Sequence, residues 1–141
     1  VKPLVLAFGI ATAAFASAAG TEPLANVEIK LLDKLAAKSA GIRTLYVTLY
    51  DAESSKPMPY GAMKVVLEKD AAGTVYKGKL DGSNVMMMMG GGGGAEPATL
   101  RIKARLDKDG SAGPDAAGDL VGIAEKVKRG GEAVITIDKA L

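Results

Sequence analysis

The sequence predicts an all-β fold, an antiparallel two-sheet sandwich of about seven strands. Three observations predict it. Short runs of β-branched, aliphatic and aromatic residues alternate with polar ones at period two. Gly, Pro, Asp and Ser punctuate the intervals between them. No long helical pattern separates the runs, which excludes repeated βαβ units.

Residues 1–20, VKPLVLAFGIATAAFASAAG, stand apart. Lys2 is followed by an apolar stretch from Leu4 to Phe15 and by the small–x–small pattern Ala16-Ser17-Ala18. This is the layout of a secretory signal peptide. The 17 uncharged residues from Pro3 to Ala19 also allow a retained N-terminal anchor helix at the short end of what spans a bilayer. Either reading exports the rest of the chain to the periplasm or cell envelope of a bacterium. Residues 21–26 form a polar linker, and 27–141 the sandwich domain.

Val27 to Leu31 alternates and predicts a half-buried strand; a helix from Asn26 to Ala40 is the competing pattern. Asp33 to Ala40 predicts a short helical turn that Gly41 ends. Thr44 to Tyr50 is the clearest strand, with Leu45, Val47 and Leu49 on one face. A loop with Pro57 and Pro59 leads to strands at Ala62 to Glu68 and Thr74 to Leu80, and Asp81-Gly82 turns the chain. Val85 to Met89 precedes five glycines, Gly90 to Gly94. In Thr99 to Leu106, Leu100, Ile102, Ala104 and Leu106 are expected inside and Arg101, Lys103 and Arg105 in solvent. Asp107 to Gly118 is a turn-rich loop, and the last strand is placed at Ala133 to Asp138, with Ile135 and Ile137 in the core.

Composition narrows the function. Lys and Arg total 18 against 16 Asp and Glu, and the signs are interspersed, so no basic stripe marks a nucleic-acid partner. There is no Cys, His or Trp. Thiolate chemistry and histidine-based triads are excluded, and no carboxylate or Ser–Lys spacing suggests another active site. The expectation is a non-enzymatic protein without a cofactor.

Four candidate features remain. Met86, Met87, Met88 and Met89 are soft ligands that suit Cu(I), but successive strand residues face opposite ways, so packing is the plainer role. The glycine run lacks the Lys and following helix of a phosphate-binding loop and reads as a mobile connection. Asp107-Lys108-Asp109-Gly110 resembles the start of a calcium loop, yet its twelfth position is Gly118, so a turn is the simpler reading. Tyr46, Tyr50 and Tyr60, with Met86 and Met88, are the candidates for partner binding, since tyrosine joins an apolar ring to a polar tip. Tyr76 belongs to the same set of rings, for which sheet packing is an equal alternative.

From Thr44 onward the chain resembles the periplasmic C-terminal Ig-like domain of the c-type cytochrome biogenesis protein CycH/CcmI. Leu45-Tyr46-Val47 with Lys56-Pro57-Met58-Pro59, the Met-rich stretch after Asp81, the segment ARLDKDGSAGPDAAGDLVG at 104–122, and the terminal Ile137-Asp138 carry the likeness. Gly118-Asp119-Leu120-Val121-Gly122 is its most specific piece. The family's tetratricopeptide repeats are absent. The resemblance implies an Ig-like sandwich that holds or docks a haem-protein partner. The alternatives are an accessory subunit on the periplasmic side of a membrane electron-transfer or photosynthetic complex and, more weakly, a Met-based copper carrier. In each case the partner is another envelope protein, with membrane contact only through residues 1–20.

Overall fold

The computed structural model describes residues 23–54, 59–87, 97–110 and 113–141. The signal or anchor segment 1–20, Met88, Met89 and the glycine run lie outside them. Among the described residues nine strands form two sheets. They are β1 (Ala25–Leu31), β2 (Thr44–Asp51), β3 (Gly61–Val66), β4 (Thr74–Leu80), β5 (Met86–Met87), β6 (Thr99–Asp107), β7 (Leu120–Lys128), β8 (Glu132–Ile137) and β9 (Lys139–Ala140). One sheet has the order β4-β1-β8 and the other β5-β3-β2-β6-β7-β9. No helix among the described residues is long and apolar enough to cross a membrane.

Period-two alternation builds the core. Leu45, Val47, Leu49, Leu100, Ile102, Ala104 and Leu106 line the inner face of the larger sheet and are fully buried. Ile29, Leu80, Ile135 and Ile137 meet them from the smaller sheet. The expected core residues of β2, β6 and β8 are therefore all in place. The competing helix over 26–40 does not form; β1 is followed by a 3-10 helix, Asp33–Ser39. Leu35 anchors that helix, and the buried Ser39 hydroxyl donates to the carbonyls of Ala36 and Ala71. Gly41 ends it at φ 81°, a left-handed conformation that costs other residues steric strain.

Two expectations need correction. Pairing is not antiparallel throughout, because β1 and β8 run parallel. Parallel neighbours need a long connection, and here most of the larger sheet serves as the crossover. The second correction is β7, a nine-residue strand where the sequence suggested none. Gly122 interrupts its apolar pattern, and a register shift against β6 breaks its alternation.

Gly122 has a positional reason. A Cβ there would lie 2.0 Å from the Thr136 carbonyl oxygen, so only glycine lets β7 approach β8 this closely. The Asp138 N–H donates to the Val121 carbonyl, and β9 then pairs with β7. The chain thus passes from the smaller sheet to the larger at Asp138, which closes one side of the sandwich.

Candidate docking face

The outer surface of the larger sheet collects most of the described residues that the sequence marks for partner binding. Its register sets Met86 beside Ala62, Ala62 beside Thr48, Thr48 beside Lys103 and Lys103 beside Ile123. A second row runs Lys64, Tyr46, Arg105, Val121. Tyr50 and Arg101 form a third pair. These residues face outward because their strand neighbours fill the core. Met86 is 71% exposed, Ile123 is 47% exposed, and Tyr46 and Tyr50 are half-buried.

Each tyrosine of this face carries an arginine. The Arg101 guanidinium lies 4.8 Å from the Tyr50 ring centroid, and that of Arg105 lies 5.2 Å from the Tyr46 ring. Cation–π attraction between such neighbours holds ring and side chain in place.

The two pairs differ in what covers them. The connection between β6 and β7 folds back over Arg105. Its NH1 group donates to Asp115 Oδ1 at 2.9 Å and to the Gly113 carbonyl at 2.8 Å. Asp107 Oδ2 lies 3.5 Å from NH2, and Asp119 Oδ2 lies 3.9 Å from Nε. The Lys103 ammonium donates to the other oxygen of Asp115. The Tyr46 hydroxyl reaches the Gly110 carbonyl at 3.5 Å. Asp119 secures the connection by accepting from the backbone N–H groups of Lys108 and Ala116, at 3.0 and 2.9 Å. Arg105 is consequently only 8% exposed and Arg101 and Lys103 are half-buried, against the expectation that all three cations of β6 lie in solvent. The register is not at fault: alternation placed Arg105 on the outer face, and the loop then covered that part of the face.

The electrostatics follow from this cover. Burial alone pushes the Asp115 carboxyl up, but hydrogen bonds and charge from Lys103 and Arg105 outweigh it and hold Asp115 below its usual range. Asp107 is pushed up, first by burial and then by the hydrogen bond with Asp109 and the charge of Asp119, against the pull of Arg105. Among the described residues Arg105 Nε and Asp107 Oδ2 have no hydrogen-bond partner. The calcium-like run Asp107-Lys108-Asp109-Gly110 is thus tied to an arginine. Among the described residues no group of three or more acidic, Cys or His side chains could hold a metal ion.

The remaining candidates separate. Tyr60 is 8% exposed and packs in the core cluster, so it is not on this surface. Met86 and Met87 form β5, while Met88 lies outside the described residues with Met89. Tyr76 sits on β4 in the other sheet, partly buried against the core. Sequence reasoning missed Asp115 and Asp119 as the groups that neutralise the upper part of the face. The signal available was four aspartates following a basic stripe.

Arg105, Asp107, Asp115 and Asp119 make the charge cluster, and Gly122 makes the close strand approach. No family model, curated protein or solved structure matches the chain. The fold and the face define a β-sandwich with one partly covered, tyrosine- and arginine-bearing sheet surface.

Proposed function

We propose that the chain is a non-enzymatic binding module of the cell envelope, an Ig-like sandwich that docks a partner protein on the outer face of its larger sheet. The observation that carries this reading is the convergence of Tyr46, Tyr50, Met86 and Arg101 on one surface from three different strands. Aromatic, Met and Arg side chains are the types enriched where proteins meet. A haem-protein partner, the class that the CycH/CcmI resemblance implies, is the first to test here.

The experiment is capture from native envelope extract and, separately, capture of apocytochrome c peptides. Full-length chain is compared with Tyr50→Ala and Met86→Ala variants and with Lys77→Ala on the other sheet as control. Capture lost with the first two and kept with the third supports the reading. A partner retained by all variants would place docking elsewhere.

A further inference from the structure

Arg101 and Arg105 occupy equivalent positions four residues apart on β6, each stacked on a tyrosine of β2. The chain itself satisfies one of them. Asp115, in the connection Lys108–Asp119, brings a carboxylate to Arg105 and Lys103. Among the described residues no carboxylate reaches Arg101, whose recorded contact is the Tyr50 ring. Glu125, exposed in the β7 bulge alongside, is not within ion-pair distance of it. Lys126 in the same bulge and Lys128 beside Thr99 add exposed positive charge at this end of the face.

Arginine presents five N–H donors in a planar fork suited to carboxylates, and a stacked ring fixes the fork in place. The covered half of the face shows what this pairing holds: an irregular segment with an aspartate on the guanidinium. From this precedent we infer that the Arg101–Tyr50 half takes a carboxylate from an acidic, extended segment of a partner protein, laid beside the chain's own loop. The inference rests on the docking reading above and names the chemistry of the partner. Charge complementarity sets its class, since among the described residues the Arg101 end of the face carries exposed Lys126 and Lys128 beside Glu125.

The test uses the full-length, isotope-labelled chain and three probes: hexaglutamate, hexaglutamine and hexathymidylate. Hexaglutamate is expected to shift the backbone amides of Thr48, Tyr50, Arg101 and Ile123, with affinity falling about tenfold or more as salt is raised through the screening range. Arg101→Gln should abolish the shifts, Arg101→Lys should weaken them, and Lys77→Gln should leave them unchanged. Equal shifts from hexaglutamine, shifts centred on Lys77 and Lys79, or indifference to Arg101→Gln would overturn the inference. Tighter binding of hexathymidylate would overturn it too, by assigning the face to phosphates. The two readings fail separately. Envelope capture lost in Tyr50→Ala but kept in Arg101→Gln removes the acidic segment and leaves the docking face. Capture kept in both removes both.

Discussion

The Arg105 guanidinium donates to Asp115 at 2.9 Å across the turn of the chain that joins β6 to β7. This pairing closes one part of the outer sheet face. Arg105 and Lys103 are neutralised by the same carboxylate, while Arg101, four residues before Arg105, is left over a tyrosine ring. The face is therefore divided by a loop rather than by a change in strand pattern.

Two aspartates of this cluster should show opposite pH trends. Asp115 has a lowered carboxyl, so its stabilisation is present above the unfolded value of 3.8 and lost as pH falls through the folded value below it. Asp107 has a raised carboxyl, so its contribution is complete below 3.8 and declines as pH rises through the higher folded value. Thermal unfolding of Asp115→Asn should converge on wild type in strong acid and fall behind it toward neutrality. Asp107→Asn should gain on wild type as pH rises above 3.8 through the raised folded value. Parallel curves for the two variants would refute this account of the cluster.

The core was legible in the sequence because alternation alone decides which side chains of a strand face inward. Leu45, Val47, Leu49, Leu100, Ile102, Leu106, Ile135 and Ile137 are all fully buried. The same periodicity placed Arg105 on the outer face but could not reveal the cover, since that depends on where a loop without periodicity folds back. Tyr60 failed for a related reason: it precedes β3 and has no alternation to fix its direction. β7 was hidden because Gly122 is required by a contact with β8, a strand distant in the fold's pairing order.

Truncation in the core should be costly and truncation on the outer face of the larger sheet cheap. Ile102→Ala removes a fully buried side chain and should destabilise by about 2–5 kcal/mol. Ile123→Ala, on the exposed face, should change stability by less than about 0.5 kcal/mol. Chemical denaturation of both variants measures the contrast, and equal losses would contradict the assigned faces.

Gly122→Ala and Gly41→Ala test two different demands on glycine. At Gly122 the added methyl would meet a backbone oxygen at 2.0 Å, so β7 and β8 must separate. A loss of about 2 kcal/mol or more is expected, at the upper range for overpacking. At Gly41 nothing lies within 4 Å, and only the positive φ opposes the change. There the cost should be about 1 kcal/mol. A smaller loss at Gly122 than at Gly41 would mean that the two strands yield without cost.

The smaller sheet predicts what keeps the molecule from pairing with itself. Among the described residues, strand β4 lies at the edge of that sheet and hydrogen-bonds to β1 on one side only. Such a row of unpaired backbone groups invites another strand, and lysines are a common defence because a second copy would have to bury or oppose them. Lys77 and Lys79 are both exposed on β4 and flank Gly78, whose missing side chain further weakens the strand as a template. Replacing both lysines with valine would leave an edge that reads Tyr-Val-Gly-Val-Leu, apolar on both faces and without charge. Sedimentation velocity should then show dimers or larger species at concentrations where wild type sediments as one species, and added salt should not dissociate them. Lys64→Val, on the outer face of the larger sheet, serves as the control for added apolar surface. If the double variant sediments as wild type does, the lysines are not what guards this edge.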